Sequence, residues 1–311
     1  MVVALSRAGR PHDTAAPAER RSELPAPADG PVPGCPFCEG AEAQTPPETW
    51  ALRPGGGARD TPGWRVRAFP NKFPALPAGE GEHEVVVSSP RHVVAFWDLT
   101  DDEAADALDG WAARVAAVGT DPRQLWPFAF LNQGAPAGAS LQHSHAQVVG
   151  LPFAPGRLVA RERAFVRADR CPVCHELETA GERVVLERDG LVAWCPQAPP
   201  LSGGVRIAPA EHRPRWGMRP GAAAGPVLRR LMRAASDALG TSAANVWLHQ
   251  ARPSGPDAFH WHLEIVPRLG TLAGMELGAG VLAVTRDPLE VAARLRAALG
   301  AAASVPQGAV E

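Results

Sequence analysis

The sequence predicts an α+β fold in which one unit is used twice, with antiparallel sheets and packed helices. Three observations carry this. The chain holds two C-x-x-C pairs, Cys35/Cys38 and Cys171/Cys174, each followed by a Pro-containing segment that ends in histidine, SPRH at His92 and APAEH at His212. Each half then reaches a His-x-His motif, His143/His145 and His260/His262. That last pair aligns without a gap at an offset of 117, so Asn132-Gln133 falls on His249-Gln250 and Gln147 on Glu264. Four marks in one order and at similar spacing indicate a duplicated unit. The halves are placed at residues 1–155 and 156–300, with a flexible tail at 301–311.

Between the marks each half alternates extended runs with helix. VVVSS at 85–89 and RVVLE at 183–187 are valine-rich, have turn residues nearby, and predict strands. Residues 100–119 predict a helix: Thr100 and Glu103 form a capping box, and Leu108, Trp111 and Val115 give one apolar face. Residues 226–239 predict the matching helix. Asp287, Pro288 and Glu290 open a third helix that runs to about Leu299. The first thirty-odd residues, rich in Ala, Pro and Arg, have the composition of a flexible arm.

Composition narrows the function. With 31 basic and 33 acidic residues the formal charge is −2, which argues against a general nucleic-acid or anionic-membrane binder. No run approaches the roughly 18 apolar residues a spanning helix needs, and no charged n-region precedes an apolar stretch. The expectation is a soluble cytoplasmic protein of ordinary core content, 45% hydrophobic.

Five cysteines in two C-x-x-C pairs plus Cys195 do not make a disulfide framework. Zinc takes four soft or borderline ligands in a tetrahedron, and a C-x-x-C turn supplies two thiolates at once. Cys35, Cys38, His92 and His143 are the expected first set, and Cys171, Cys174, His212 and His260 the second. Two zinc sites per chain follow. A thioredoxin-like redox motif is the weaker reading, because neither pair sits in a βαβ context.

In LQHSHAQVVGLP (141–152) the valines favour an extended chain, so His143, His145 and Gln147 share one face. With His143 given to the metal, His145 is left for chemistry, as a nucleophile with one ring nitrogen held by a hydrogen bond. The Gln147 amide can donate to a non-bridging phosphate oxygen. The preceding loop, Asn132 to Ser140, carries Gly134 and Gly138 for close backbone approach, and Asn132 and Ser140 for polar contacts. Together these point to phosphoryl chemistry.

The segment Asn132–Gln147 resembles the active-site region of the galactose-1-phosphate uridylyltransferase family of the histidine-triad superfamily, which reads roughly N-x-G-x-x-x-G-x-S-x-x-H-P-H-x-Q. Ser144 and Ala146 stand where the best-known members have Pro and Gly. HSH, with the second C-x-x-C, is more similar to the ADP-glucose phosphorylase-like branch. CPFC, NKFPAL (71–76), SPRH, residues 259–280 and SRAGRPHD (6–13) agree with the family, so the resemblance runs from about residue 3 to 297.

The resemblance implies ping-pong nucleotidyl transfer of the UDP-glucose–hexose-1-phosphate uridylyltransferase type, with His145 as nucleophile and a place in galactose or nucleotide-sugar metabolism. It implies that Arg7, Arg10, Asn132, Ser140 and Gln147 meet phosphates, that Asn71 and Phe73 lie near the nucleoside, and that Glu276 meets sugar hydroxyls. It also implies a homodimer. Partners would be a nucleotide sugar and a sugar 1-phosphate or phosphate. Glu264 in place of the glutamine makes the second half non-catalytic. The rival readings are a nucleotide-sugar or dinucleoside-polyphosphate phosphorylase that uses phosphate as acceptor, and a non-catalytic zinc-bearing nucleotide-binding protein.

Overall fold

The computed structural model describes residues 24–28, 30–77 and 79–303. Ten antiparallel strands form one sheet: β1 (Trp50–Leu52), β2 (Val66–Pro70), β3 (Glu82–Val87), β4 (Trp126–Gln133), β5 (His145–Leu151), β6 (Val184–Arg188), β7 (Leu191–Trp194), β8 (Val205–Pro209), β9 (Ala244–His249) and β10 (His262–Pro267). Their spatial order is β1-β2-β3-β5-β4-β9-β10-β8-β7-β6. Read from either end, the sheet has the same connectivity. The α+β fold with a duplicated unit expected from the sequence is therefore present, and the two antiparallel halves fuse into one continuous sheet.

The register preserves the offset of 117. Phe130 pairs with Gln147 in the first half, and Trp247 pairs with Glu264 in the second. Phe130 also faces Trp247 where β4 meets β9, so the local two-fold axis passes beside these two residues. Smaller details repeat as well. The Gln133 side-chain carbonyl accepts the Phe96 N–H, and that of Gln250 accepts the Trp216 N–H. The Ser144 N–H donates to the Val93 carbonyl, and the Trp261 N–H to that of Arg213.

One face of the sheet is covered by α1 (Asp101–Val118), α4 (Gly221–Leu239) and α5 (Pro288–Ala303). Helix α1 starts as its capping box dictates: the Thr100 hydroxyl accepts the Glu103 N–H at 3.1 Å and Glu103 accepts the Thr100 N–H at 2.8 Å. Its buried stripe of Leu108, Trp111 and Val115 packs on Ala146 and Val148 in the main core. Helix α4 begins five residues before the position expected from the sequence, with Pro226 inside it. Gly221 and Gly225 allow this early start. A Cβ on Gly225 would lie 2.5 Å from the Ala105 nitrogen, so α4 crosses α1 at backbone contact. Pro226 is the sixth helical residue, past the N–H groups that lack intrahelical partners, so it forfeits the bond to the Ala222 carbonyl. Helix α5 passes Leu299 and runs through Ala303.

The other face carries two smaller apolar clusters. Phe37, Trp64, Phe69, Val85 and Val87 form one; Phe165, Val173, Trp194, Ala208 and Phe259 form the other. Helix α2 (Gly156–Arg167) and helix α3 (Pro172–Thr179) lie on the second-half side and contribute Phe165 and Val173. No described helix is long and apolar enough to cross a membrane.

Candidate active site

Strand β5 sorts its side chains by alternation. Ala146 and Val148 enter the main core, and His145, Gln147 and Val149 face the other way. His145 and Gln147 line a cleft of about 760 Å³ together with Ser140, Asn71 and Phe73. Its further walls are Phe37, Phe69, Gln44 and Thr45. Five residues singled out from the sequence thus meet in one place.

Imidazole orientation is set by the backbone. His145 Nδ1 lies 2.7 Å from the His143 carbonyl, which can only accept, so Nδ1 carries the proton and Nε2 the ring's lone pair. Phe37 meets the His145 ring edge-on at 5.1 Å between centroids. The loop before β5 needs its glycines: Gly134 and Gly138 have φ of 78° and 87°, and bracket the turn Ala135–Ala137. That turn delivers Ser140, buried, to the cleft.

Two of the expected residues, Asn132 and Glu276, do not line this cleft. Asn132 Oδ1 accepts from Asn245 Nδ2 at 2.8 Å, across the junction of β4 and β9. Glu276 lies in a π-helical turn, Met275–Ala279, and its carboxylate accepts the Ala273 N–H at 2.8 Å. Arg7 and Arg10 lie outside the described residues.

Cys35, Cys38, His92 and His143 bring one ligand atom each within 4.8 Å of one another, and so do Cys171, Cys174, His212 and His260. Tetrahedral zinc with Zn–S of about 2.3 Å and Zn–N of about 2.0 Å requires S···N edges of about 3.5 Å. The edges here are 3.5 Å for Cys35–His143 and Cys38–His92, and 3.8 Å for Cys38–His143. In the second cluster Cys174 lies 3.5 Å from His212 and 3.4 Å from His260. All these contacts use Nδ1. The opposite nitrogens of His143, His212 and His260 meet the carbonyls of Ser89, Asp257 and Pro209 at 2.9, 2.9 and 3.1 Å, the outer-sphere partner a metal-bound imidazole needs.

Protonation behaviour agrees with a cation site. Burial pushes the Cys35 thiol up to about 12 and the Cys174 thiol up to about 11, and burial lowers His143 to about 3. A divalent ion reverses the penalty on the thiolates, and neutral imidazoles suit it. Both clusters can hold a metal ion.

The second half repeats the geometry with different partners. His262 Nδ1 meets the His260 carbonyl at 3.0 Å, as His145 does with His143. Its Nε2, however, accepts from Arg161 Nη1 at 2.8 Å. Arg161 comes from α2, which also places Phe165 over the His262 ring. Glu264, at the position of Gln147, accepts from Arg206 Nε at 2.8 Å and Trp247 Nε1 at 2.9 Å. The second imidazole's lone pair is therefore already taken by a guanidinium. Sequence reasoning missed Phe37 and His83 in the first half and Arg161 in the second. Phe37 could have been found from its place inside the first C-x-x-C turn.

The described residues thus build one sheet of two related halves, each with a Cys₂His₂ cluster and a His-x-His strand. The chain is similar to the galactose-1-phosphate uridylyltransferase family. Residues 65–155 match the family described as galactose-1-phosphate uridyl transferase, N-terminal domain. The chain is 26% identical to ADP-glucose phosphorylase of Arabidopsis thaliana over 326 aligned residues, which covers 95% of this chain and 89% of that protein. It is 34% identical to galactose-1-phosphate uridylyltransferase of Streptomyces lividans, but over only 45% of this chain and 41% of the relative. Among solved structures, ADP-glucose phosphorylase from Arabidopsis thaliana with bound ADP-glucose superposes with a TM-score of 0.76 at 27% identity, covering 91% of this chain and 92% of that one. A uridylyltransferase structure gives 0.74 at 27% identity, covering 90% and 95%.

Proposed function

We propose that this protein moves a nucleoside monophosphate from a nucleotide sugar to an acceptor phosphate through a nucleotidyl-His145 intermediate. The observation that carries the reading is the 2.7 Å contact from His145 Nδ1 to the His143 carbonyl, which puts the ring's lone pair on Nε2 of a residue that lines one cleft with Gln147 and Ser140. Nε2 attacks the α-phosphorus, and the bond from phosphorus to the sugar 1-phosphate oxygen breaks. The same carbonyl then stabilises the positive charge that develops on the ring. Gln147 and Ser140 donate to the non-bridging oxygens. An oxygen of the incoming phosphate attacks phosphorus in the second step, the P–N bond breaks, and His145 returns to its starting state.

Zinc is the metal we assign to both clusters, from the Cys₂His₂ donor set and the S···N edges. Bound there it supplies structural rigidity: the chain that ligates through His143 Nδ1 also orients the nucleophile through the His143 carbonyl. Elemental analysis should find about two zinc ions per chain.

The acceptor is either a sugar 1-phosphate, as in a hexose-1-phosphate uridylyltransferase, or inorganic phosphate. Phosphate is favoured by one observation: the ADP-glucose phosphorylase similarity spans 95% of the chain, whereas the two uridylyltransferase relatives span 45% and 42%. We also propose a homodimer. Met275, Leu277, Val281 and Val284 are all more than 40% exposed on the segment that carries Glu276, an apolar run suited to burial against a second copy. A molar mass of one chain at all concentrations in light scattering would refute this.

The deciding experiment is intact-protein mass spectrometry after mixing with UDP-glucose, and separately ADP-glucose, without acceptor. A nucleotidyl adduct that is absent in His145→Ala supports the reading and identifies the base. Discharge of that adduct by phosphate or by galactose 1-phosphate identifies the acceptor. No adduct with either donor counts against this reading.

A further inference from the structure

Gln147 can serve a transferring phosphoryl group only with its N–H₂ end towards the cleft. Turned the other way, its carbonyl oxygen would face the negative oxygens and repel them. The backbone of β5 does not decide between the two orientations, because an amide side chain rotates about its last bond with a broad, nearly two-fold preference. Something beside it must.

That neighbour is His83. It is buried on β3, whose residue Val85 pairs with Gln147, so His83 lies diagonal to Gln147 on the same sheet face. The Ala75 N–H donates to His83 Nδ1 at 2.9 Å. A ring nitrogen that accepts carries the lone pair, so the neutral imidazole bears its proton on Nε2. Nε2 lies 2.8 Å from Gln147 Oε1 and donates to it. This hydrogen bond holds the carbonyl end of Gln147 away from the cleft and leaves the amide nitrogen on the side of His145.

The same tautomer acts on a second amide. Asn71 Nδ2 is 3.2 Å from His83 Nε2, but two donors make no hydrogen bond. Asn71 Oδ1 is committed to the Phe73 N–H at 2.9 Å, so the Asn71 amide nitrogen is also left for a ligand in the cleft. The second half makes the contrast. There the residue equivalent to Gln147 is Glu264, held from the neighbouring strand by the Arg206 guanidinium at 2.8 Å. A cation fixes a carboxylate acceptor in that half, while a neutral N–H donor fixes an amide in the first.

We propose that His83 is a positioning residue for nucleotidyl transfer: as the Nε2-protonated tautomer it locks Gln147 with its donor end facing the reacting phosphate. The proposal rests on the reading of His145 as the nucleotidyl carrier, and its test has one arm that does not.

That arm is a long-range ¹⁵N–¹H correlation spectrum of the ligand-free full chain labelled at histidine, with the His83 signal assigned from its loss in His83→Gln. The expected result is a protonated Nε2 and an unprotonated Nδ1; the reverse pattern overturns the proposal. The second arm is single-turnover adduct formation with the donor that loads wild type. His83→Leu should slow loading by about 10- to 100-fold, the range expected when a reacting geometry is loosened rather than lost. His83→Gln places an amide N–H where Nε2 was and should recover most of that rate. In a Gln147→Ala background, His83→Leu should add almost nothing.

Loading at the wild-type rate in His83→Leu, or the same slowing with and without Gln147, overturns the proposal. A thermal scan of each variant identifies unfolding, and His83→Gln then carries the comparison. Failure of wild type to load removes the parent reading instead, and the tautomer still decides whether His83 fixes Gln147.

Discussion

Glu264→Gln tests whether the second half is held by the charge network described above. The carboxylate is 1% exposed, hydrogen-bonded to Arg206 and Trp247, 3.1 Å from His249 Nε2 and 3.6 Å from Arg161. Burial pushes its carboxyl upward, but the His249 contact with Arg206 and Arg161 outweighs that and holds it well below the usual carboxylate range. Glutamine keeps the shape and one acceptor, but it leaves Arg161 beside a neutral group and Arg206 with Glu176 as its carboxylate partner. Removing one partner of a buried pair costs about 3–5 kcal/mol, and the retained acceptor puts this case near the lower end. At about 2 °C per kcal/mol for a chain of this size, the melting temperature should fall by about 6 °C at pH 8. Adduct formation at His145 should stay at the wild-type level, since the proposed nucleophile is in the other half. The acid limb gives a second reading. Glu264 contributes fully above its ordinary 4.5 and loses that contribution as pH falls through its lowered folded value. Burial lowers His249 to about 4 and holds His262 well below 6.5, so the unfolded chain takes up their protons first. Wild-type stability should therefore begin to fall below pH 6.5, at about 1.4 kcal/mol per unit for each imidazole. Calorimetry and urea melts from pH 8 to 4 measure both effects. A variant as stable as wild type at pH 8 would refute the reasoning.

Three further outcomes are expected. Thr100→Ala removes one side of the α1 capping box and should lower stability by about 1 kcal/mol in urea melts. Gly225→Ala should destabilise by about 1–3 kcal/mol, because its Cβ meets the α1 backbone at 2.5 Å; a gain from helix propensity would show that α4 does not cross α1 so closely. With the proposed zinc bound, chelator should remove it in two phases, the second cluster first, since His212 is exposed while Cys38 and His143 are buried. Cys174→Ser should abolish the fast phase in a chromogenic assay, and loss of the slow phase instead would reverse the assignment.

What was legible in the sequence had a short-range signature. The Cys and His marks fall into clusters because each is tied to a turn or a strand end, and their recurrence indicates a duplicated unit, whereas the fusion of the halves into one sheet rests on the long-range pairing of β4 with β9. Helix α1 was legible from Thr100 and Glu103. The start of α4 was not, because Pro226 normally marks a boundary, and only the backbone contact of Gly221 and Gly225 with α1 explains the earlier turn. His83 escaped because one histidine in an apolar strand resembles core; its meaning lies in Ala75 and Gln147, distant in sequence. Arg161 escaped for the same reason, since nothing along α2 signals that it will meet an imidazole 101 residues away.

The junction of β4 and β9 has a consequence for how such a chain can change. Because the two halves meet about a two-fold axis beside Phe130 and Trp247, their arrangement is that of a symmetric pair joined by a linker. Two separate identical copies would have to carry every substitution twice. Joined in tandem, they are released from that obligation, and each can diverge alone. Arg161 on His262 and Glu264 opposite Gln147 are divergences of this kind. They tie the second His-x-His strand to a guanidinium while its twin lines a cleft, an asymmetry that a strictly symmetric assembly of identical chains could not sustain.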